Sequence, residues 1–400
     1  MIMATDNKYK VLNVPNLRFP EFTEEWRKYK VSDVLDFYST NSLSWEQLDY
    51  NNEDLYNLHY GLIHVGLPIL VDIGQNKLPG IKIECKPKNF ELCKEGDVAF
   101  ADASEDTNDV AKAIEFVNLN NHKTVCGLHT IHGRDNKHLT VLGYKGYAFA
   151  SPLFHNQIRR IAQGTKIYSI SSKNFAECYI GIPSKDEQSK IARLLALIDS
   201  RITTQNKIIE DLKKLKVAIR DRELNSIRKH YGLNMQISEI LDYEQPSKYI
   251  VSETEYLNNK EFTPVLTANK AFILGYTDEP FNIYDKGECI ILDDFTLDCK
   301  LVNFAFKVKS SAIKILTPKN NIILRYVYEY LNFLNLETTE HKRHYISEIE
   351  PMLIAYPDSN ESVISFCDLM DKFDKKIENE NKYLQSLLSQ KNYLLSNMFI

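Results

Sequence analysis

The longest regular patterns in the chain are two heptad repeats with apolar residues at most a and d positions. They occupy residues 183–220 and 357–395, and each position in the second lies 175 residues after its counterpart. The a and d positions are Leu195, Ile198, Ile202, Gln205, Ile209, Leu212, Lys216 and Ile219, then Met370, Phe373, Ile377, Glu380, Leu384, Leu387, Lys391 and Leu394. This stripe predicts two long helices that pair along a seam. The constant offset predicts a duplicated chain with an internal pseudo-twofold axis.

Both predicted helices have a start signal directly after a proline. Ser184 stands three residues before Glu187, and Asp358 stands three residues before Glu361. A short polar residue followed three positions later by an acid is typical of a helix N-terminus. We therefore expect both helices to begin just after Pro183 and Pro357.

Shorter segments between the helices also occur twice, in the same order. The matched ranges are 30–37 with 236–243, 96–102 with 287–293, a predicted helix at 147–163 with one at 322–336, and a final strand at 177–182 with one at 352–356. Strand-length apolar runs after turn glycines alternate with helical segments, which predicts two similar α/β domains. The expected plan is an arm (1–28), a first domain (29–182), a long helix (183–230), a second domain (231–356) and a second long helix (357–400).

The polar seam positions favour antiparallel pairing of the two helices. An antiparallel register can place Lys216 opposite Glu380 and Gln205 opposite Lys391, whereas a parallel register would oppose Lys216 to Lys391. A buried lysine needs an acid or amide partner. The same register pairs Ile209 with Leu387, Leu212 with Leu384, Ile202 with Leu394, and Ile219 with Ile377. The alternative is that each helix packs only on its own domain.

Composition sets the class of protein. The chain has 400 residues, of which 44% are hydrophobic and 26% charged, and this suits two or three globular domains. It shows neither a bilayer-length apolar segment nor a secretion signal, so we expect a cytoplasmic protein without a membrane partner. The seven cysteines are scattered and never spaced as Cys-x-x-Cys, which favours reduced thiols over a metal site or disulfides.

Positive charge is concentrated in two runs although the net charge is −5. Residues 120–173 hold eight Lys or Arg against one acid, and residues 299–325 hold six Lys or Arg and no acid. Two basic runs at comparable places in a duplication favour contact with nucleic acid. The alternative is that they are ordinary solvated surface charges.

The whole arrangement resembles the specificity subunit of Type I restriction-modification systems. The resemblance rests on the two α/β domains with their long helices, on Ile182-Pro183 and Glu187-Gln188-x-x-Ile191-Ala192 at the first helix start, and on the arm at residues 14–22 followed by Trp26. The second helix departs from this form, because it reads Glu361-Ser362-Val363-Ile364. We therefore expect its contacts with a partner to be different.

The resemblance implies that each domain reads one half of a bipartite, asymmetric site in double-stranded DNA. It implies that the paired helices set the spacer and dock two modification subunits, with restriction subunits as further partners. Catalysis, S-adenosylmethionine, ATP and Mg²⁺ then belong to those partners. The chain agrees with this, since it contains no glycine-rich cofactor loop, no Asp/Asn-Pro-Pro-aromatic tetrapeptide and no phosphate-binding loop.

Candidate DNA-contacting residues follow from donor chemistry and charge. In the first domain they are His129, His132, Arg134, Asn136, Lys137, Arg159 and Arg160, and in the second they are Thr267, Asn269, Lys270, Lys300, Lys307 and Lys309. Side chains of this kind bind base edges or phosphates. His129, His132 and His138 could suggest a metal site, but Arg and Lys residues lie between and beside them in the sequence, which argues against one. Two other classes stay open, a chain with a concealed nuclease or methylase site and a coiled-coil adaptor that reads no DNA sequence.

Overall fold

The computed structural model describes residues 13–269, 271–338 and 342–400. This part of the chain forms two compact α/β units. Unit 1 contains the residues up to 206 together with residues 382–400, and unit 2 contains residues 207–381. Each unit therefore takes one section from each of the two long helices.

In its described residues, unit 1 combines five short α-helices with thirteen strands. The strands are β1 (Arg27–Lys30), β2 (Asp36–Tyr38), β3 (Leu48–Asp49), β4 (Tyr56–Leu58), β5 (Leu70–Asp72), β6 (Gly80–Ile81), β7 (Val98–Ala101), β8 (Ala103–Ser104), β9 (Ala113–Asn118), β10 (Thr124–Cys126), β11 (Thr130–Arg134), β12 (Tyr168–Ser169) and β13 (Tyr179–Ile182). The helices are α1 (Val31–Val34), α2 (Tyr60–His64), α3 (Tyr144–Phe149), α4 (Pro152–Ile161) and α5 (Ser172–Ala176), followed by the long α6 (Lys185–Tyr231).

The described residues of unit 2 form nine strands, two short α-helices and a short π-helix at Tyr345–Ile349. The strands are β14 (Met235–Gln236), β15 (Leu241–Glu244), β16 (Thr263–Leu266), β17 (Ile273–Thr277), β18 (Cys289–Asp293), β19 (Cys299–Val302), β20 (Lys307–Val308), β21 (Ile313–Pro318) and β22 (Leu353–Ile354). The helices are α7 (Ile237–Ile240) and α8 (Leu324–Leu334), followed by the long α9 (Asn360–Asn397).

Strand pairing repeats from one unit to the other. The main sheets have the orders β2-β11-β7-β9-β5 and β15-β21-β18-β19. In the smaller sheets β10 runs parallel to β4 and β20 runs parallel to β16. The strand that opens each unit pairs antiparallel with the strand before the long helix, β1 with β13 and β14 with β22. This topology confirms that two similar α/β units make up the chain.

The predicted helix at 147–163 is two helices in the structure. Helix α3 ends at Phe149, and Ser151 starts a new helix by accepting a hydrogen bond from the backbone of Phe154. Pro152 occupies the first turn of α4, where its missing N–H costs nothing. The interruption therefore follows from a cap and a proline, which the apolar pattern alone does not register.

The beginning of α6 and the end of α9 share the hydrophobic core of unit 1. Leu195 and Ile198 belong to the same buried cluster as Leu394 and Phe399. The backbone N–H of Leu17 also donates to the carbonyl of Asn397 over 2.8 Å, which attaches the amino-terminal arm to the end of α9. Contact between the start of one helix and the end of the other means that they pack antiparallel in this unit.

Unit 2 has the reciprocal arrangement. Leu224, near the end of α6, packs in one cluster with Val363 and Met370 from the start of α9. All sixteen predicted a and d positions are buried or half-buried. The antiparallel helices and their apolar seam are thereby confirmed.

The polar pairs that were expected in this seam are wrong. Lys216 pairs with Asp374 (2.6 Å) and Glu329 (3.1 Å), not with Glu380. Lys391 pairs with Asp199 (2.6 Å). In both cases the acid lies six residues before the expected partner, and it does not occupy an a or d position. A lysine side chain is long enough to leave the seam and reach an acid on its flank.

We expect the Lys216→Glu substitution to destabilise unit 2 by about 2 kcal/mol, because it places a carboxylate against Asp374 and the buried Glu329. The loss is moderated by solvent, since the Asp374 side chain is 42% exposed. Combining Lys216→Glu with Asp374→Lys should recover part of the loss in urea unfolding. The matched control is Lys216→Glu with Glu380→Lys, which should recover nothing; recovery there would restore the sequence-based register.

Candidate nucleic-acid interface

Each unit contains a pair of adjacent parallel strands, β4 with β10 and β16 with β20, whose carboxyl ends open into loops. In unit 1 the N–H of Gly127, after β10, donates to the carbonyl of Leu58 at the end of β4 over 2.9 Å. In unit 2 the N–H of Lys309, after β20, donates to the carbonyl of Leu266 at the end of β16 over 3.1 Å. The two hydrogen bonds are equivalent under the internal repeat, so the loops beyond them are equivalent too.

In unit 1 these loops gather aromatic and imidazole rings. His59 and Tyr60 follow β4, and the rings of Tyr60 and His129 lie 5.2 Å apart. Trp45 covers His59 at 4.3 Å between ring centroids and keeps 45% of its surface exposed. His129 is exposed, has a left-handed backbone (φ 54°), and its Nδ1 lies 3.1 Å from Asp102. Flat rings and ring nitrogens at the surface are suited to base contact.

In unit 2 the equivalent loops carry three of the predicted residues. Asn269 and Lys309 are exposed, whereas Thr267 is buried at the strand end. The side-chain oxygen of Asn269 accepts from the backbone of Ala271 over 3.3 Å, which leaves its amide N–H groups for other contacts. Lys270 lies outside the described residues. Asn269 and Lys309 therefore lie in the two loops that follow the adjacent strands β16 and β20.

Sequence reasoning missed Trp45, His59 and Tyr60. The only signal was the density of aromatic and histidine residues between positions 45 and 64. Their grouping with His129 depends on the pairing of β4 with β10, whose residues lie 68 positions apart in the register Tyr56–Thr124. A local pattern does not reveal such a pairing.

Arg134 and His132 do not fit the prediction that they contact bases. Both are buried in β11 and bind the buried carboxylate of Asp97: His132 Nε2 lies 2.7 Å from Oδ2, and Arg134 Nε lies 2.8 Å from Oδ1. Arg134 also donates to Glu91 and to the carbonyl of Leu92. Four of the five N–H groups of the guanidinium are thus bound inside the protein, so Arg134 cannot present its fork to a base.

These contacts fix the charge states of the group. Burial alone would raise the pKa of Asp97, but the hydrogen bonds from His132 and Arg134 outweigh it and hold the pKa below its usual value. The hydrogen bond to Asp97 is the main reason why the pKa of Arg134 is raised. The cluster is therefore a charged structural network in the interior of unit 1.

Asn136, Lys137 and His138 are exposed but lie at the opposite end of β11 from His129. The side chain of Asn136 donates to Asp36 and to Tyr38. Lys137 Nζ donates to the carbonyl of Asp33 over 2.7 Å, and in unit 2 Lys319 makes the equivalent bond to Ser238, also over 2.7 Å. This repeat gives Lys137 a structural role, namely to bind a free carbonyl of the short helix α1.

Arg159 and Arg160 are exposed in the last turn of α4. Nη1 of Arg159 donates to Asn108 over 2.8 Å. Positive charge in a last helical turn also interacts favourably with the helix dipole. These two arginines are free of acidic partners among the described residues, and they remain candidates for phosphate contact.

Much of the charge in the two basic runs is neutralised from outside the runs. The buried Lys145 pairs with Glu115 (3.1 Å), and the buried Lys314 pairs with Asp294 (3.4 Å). Lys307 is fully buried and bound to Glu279, so it does not fit the prediction of a phosphate contact. Lys300, in β19, is half-buried. A local charge count therefore overstates the positive surface.

The helix-start motif is used within unit 1. Ser184 accepts from the backbone of Glu187 as expected, while the carboxylate of Glu187 binds Arg18 of the arm with two hydrogen bonds of 2.7 and 2.8 Å. Gln188 is fully buried and binds the backbone of Leu139 and Val141. The motif thus joins the arm, the 139–141 loop and α6. Among the described residues, no helix is both long and apolar enough to cross a bilayer.

Comparison with known proteins agrees with this arrangement. Residues 23–214 match the family model described as the Type I restriction modification DNA specificity domain. The specificity subunit of the Escherichia coli Type I restriction enzyme EcoR124I/EcoR124II is 43% identical over 151 residues, which are 35% of this chain. Residues 23–214 belong to the Type I specificity-domain family. The family prediction is confirmed, although the match spans only 37% of the length of that relative.

Solved structures support the fold of a specificity subunit over nearly the whole chain. The S subunit of a Type I restriction-modification system from M. genitalium superposes with a TM-score of 0.56 at 19% identity, covering 97% of this chain and 99% of that one. A chain from a structure of type I R-M complex assembly and conformational transition also gives 0.56, at 13% identity, with 92% and 96% covered. At these identities the likeness concerns the fold alone.

We expect Arg134→Met to destabilise unit 1 by about 3 kcal/mol, because it leaves the buried Asp97 carboxylate without its main partner. Thermal unfolding would measure the loss. Lys137→Met is the matched control, because it removes one exposed hydrogen bond in the loop that follows β11. It should cost less than about 1 kcal/mol. A stable Arg134→Met protein with altered base preference would show that Arg134 contacts bases after all.

Proposed function

We propose that this chain is the DNA-recognition subunit of a Type I restriction-modification complex. In this proposal each α/β unit reads one half of a bipartite, asymmetric sequence in double-stranded DNA. The observation that carries it is the pair of equivalent loop clusters at the carboxyl ends of β4 and β10 and of β16 and β20, within a fold of the specificity-subunit type. Two similar reading surfaces with different side chains suit two different half-sites.

The side chains at these loops differ in chemistry between the units. The unit 1 loops present His129 and the rings of Trp45 and Tyr60, while the unit 2 loops present Asn269 and Lys309. Amide groups bind adenine edges in the major groove, and lysine binds guanine or phosphate. Different donor sets at equivalent positions would give an asymmetric target.

Catalysis belongs to partner subunits in this proposal. Two modification subunits would supply S-adenosylmethionine-dependent methylation, and restriction subunits would supply ATP- and Mg²⁺-dependent cleavage. The charged side chains of Asp97, His132 and Arg134 are buried against one another. Such a network stabilises a fold and does not present a catalytic group to DNA.

The adaptor alternative is not favoured. A coiled-coil adaptor would need only the two long helices, yet the match to the DNA specificity domain begins at residue 23 and covers the α/β part of unit 1. The concealed-enzyme alternative would require a purified chain to cut or methylate DNA without partners.

Genome-wide mapping of methylated bases in cells with and without this chain tests the proposal. We expect one class of bipartite sites to lose methylation when the chain is removed, because the modification subunits would lack a reader. Unchanged methylation in cells that still contain active modification subunits would refute the function.

We expect Lys309→Ala to weaken binding of the assembled complex to all duplexes and to reduce the slope of log affinity against log salt by about one unit. The reason is that Lys309 is exposed next to the reading loop and would make a phosphate contact. Binding titrations at several salt concentrations measure both effects. Lys319→Met is the control, since Nζ of Lys319 already binds Ser238 and Asp242; an equal change in slope there would remove Lys309 from the interface.

In this proposal the length of the helix pair sets the number of unread base pairs between the two half-sites. Insertion of four residues after Asn206 in α6 and after Asn381 in α9 lengthens the pair by about 6 Å, which corresponds to one or two base pairs of duplex at about 3.4 Å each. Methylation mapping of an active insertion variant should show a spacer longer by that amount and unchanged half-sites. An unchanged spacer would show that the helices do not set it, and altered half-sites would show that the reading residues are misplaced.

A further inference from the structure

Three side chains of metal-ligand type meet in the interior of unit 1. The Sγ atoms of Cys93 and Cys126 lie 3.6 Å apart. Together with a ring nitrogen of His132 they form a group whose ligand atoms all lie within 4.8 Å of one another. All three residues are buried, with exposed fractions of 6%, 1% and 1%.

The group joins three separate segments of the chain. Cys93 lies in the segment before β7, where its N–H donates to the carbonyl of Thr124 over 2.8 Å. Cys126 ends β10, and His132 is the central residue of β11. Since these positions are far apart in sequence, the spacing of the cysteines alone predicts no metal site, and that expectation is revised here.

The orientation of His132 is fixed from outside. Its Nε2 lies 2.7 Å from Asp97, and Asp97 in turn accepts two hydrogen bonds of 2.8 Å from Arg134. A carboxylate held by arginine is ionised and only accepts, so Nε2 of His132 carries the proton. Nδ1 then has a lone pair directed into the protein.

Nδ1 of His132 is buried and has no hydrogen-bond partner among the described residues. A buried polar atom without a partner costs about 1–3 kcal/mol, and such atoms in native proteins usually mark a water, an ion or a ligand. A ring nitrogen of His132 lies within 4.8 Å of both sulfur atoms, so an ion bound among the three side chains can supply the missing partner. This is a second observation, independent of the cysteine pair, that indicates a ligand.

We propose that Cys93 Sγ, Cys126 Sγ and His132 Nδ1 bind a divalent metal ion of the zinc class. Thiolate and imidazole are the preferred ligands of zinc, with Zn–S bonds of about 2.3 Å. Two thiolates on a tetrahedral ion then lie roughly 3.8 Å apart, close to the separation in this structure. Asp97 acts as the outer carboxylate that orients the histidine, an arrangement common at zinc sites.

Charge and space also suit the ion. Binding releases the two thiol protons, and the two thiolates neutralise the dication, so the buried group gains no net charge beyond that of Asp97 and Arg134. Cys126 also lines a cavity of about 360 Å³ whose wall contains Cys85 and Asn41. A water molecule from this cavity would be the fourth ligand.

The site is a structural one. It would cross-link β10, β11 and the segment before β7, and β10 carries the loop that leads to His129. Metal binding would thereby hold the unit 1 loops in place. A disulfide between Cys93 and Cys126 is the rival explanation of the short sulfur–sulfur distance, but it leaves Nδ1 of His132 without a partner.

Metal content of the purified full-length chain tests the proposal. After expression with zinc and purification without chelator, elemental analysis should find about one zinc per chain. Cys126→Ser should lower this to near zero. Cys178→Ser, which changes another buried cysteine of unit 1, is the matched control and should retain the zinc.

A measurement on the unaltered chain removes dependence on how the variants fold. Co²⁺ added to metal-free wild-type protein should produce the thiolate charge-transfer and visible absorption bands of tetrahedral cobalt, and Zn²⁺ should abolish them. A chelator should lower the melting temperature of wild type and leave that of Cys126→Ser unchanged. Absence of zinc together with absence of cobalt bands would overturn the proposal, as would a Cys93–Cys126 disulfide in protein kept under reducing conditions.

Discussion

The packing of two helix ends into each hydrophobic core is the constraint on which the rest of the structure depends. Unit 1 buries Leu195 of α6 together with Phe399 of α9, and the ring of Phe399 lies 6.5 Å from Trp26. Unit 2 buries Leu224 of α6 together with Met370 of α9. Each helix therefore contributes one end to each unit. Because these segments are distant in sequence, neither half of the duplication contains all the residues of its own core, and the antiparallel pairing of α6 and α9 is required for both units.

Buried ion pairs are the second constraint, and they separate structural charge from surface charge. Lys307, Lys314 and Lys145 lie in basic stretches of sequence, but each has an acidic partner in the interior. A buried charge must be paired, so these lysines are unavailable to DNA. The residues that we propose for recognition, such as His129 and Lys309, are exposed beside the parallel strand pairs. The repeat of that strand pair in both units supports a common reading site.

Periodicity and repetition could predict the two α/β units and the antiparallel helices, because each depends on local pattern or on comparison of the chain with itself. The family followed from a resemblance to known specificity subunits. The lateral contacts of the seam could not be predicted in this way. Lys216 has acids within reach on both α8 and α9, and only the packed structure selects Glu329 and Asp374. Among the candidate reading residues, Asn269 and Lys309 lie in the loops after two adjacent strands, whereas Arg134 is buried against Asp97. Burial of a charged side chain depends on a partner far away in sequence.

Selection of sites from a random duplex library by the assembled complex tests most directly whether each unit reads one half-site. The complex with the wild-type chain should select two blocks of fixed bases. The spacer between them should have a constant length and no preferred base at any position. With His129 and Tyr60 of unit 1 replaced by alanine, one block should change while the other block and the spacer stay the same. A change in both blocks, or an unaltered selected sequence in a complex that still binds, would contradict the account.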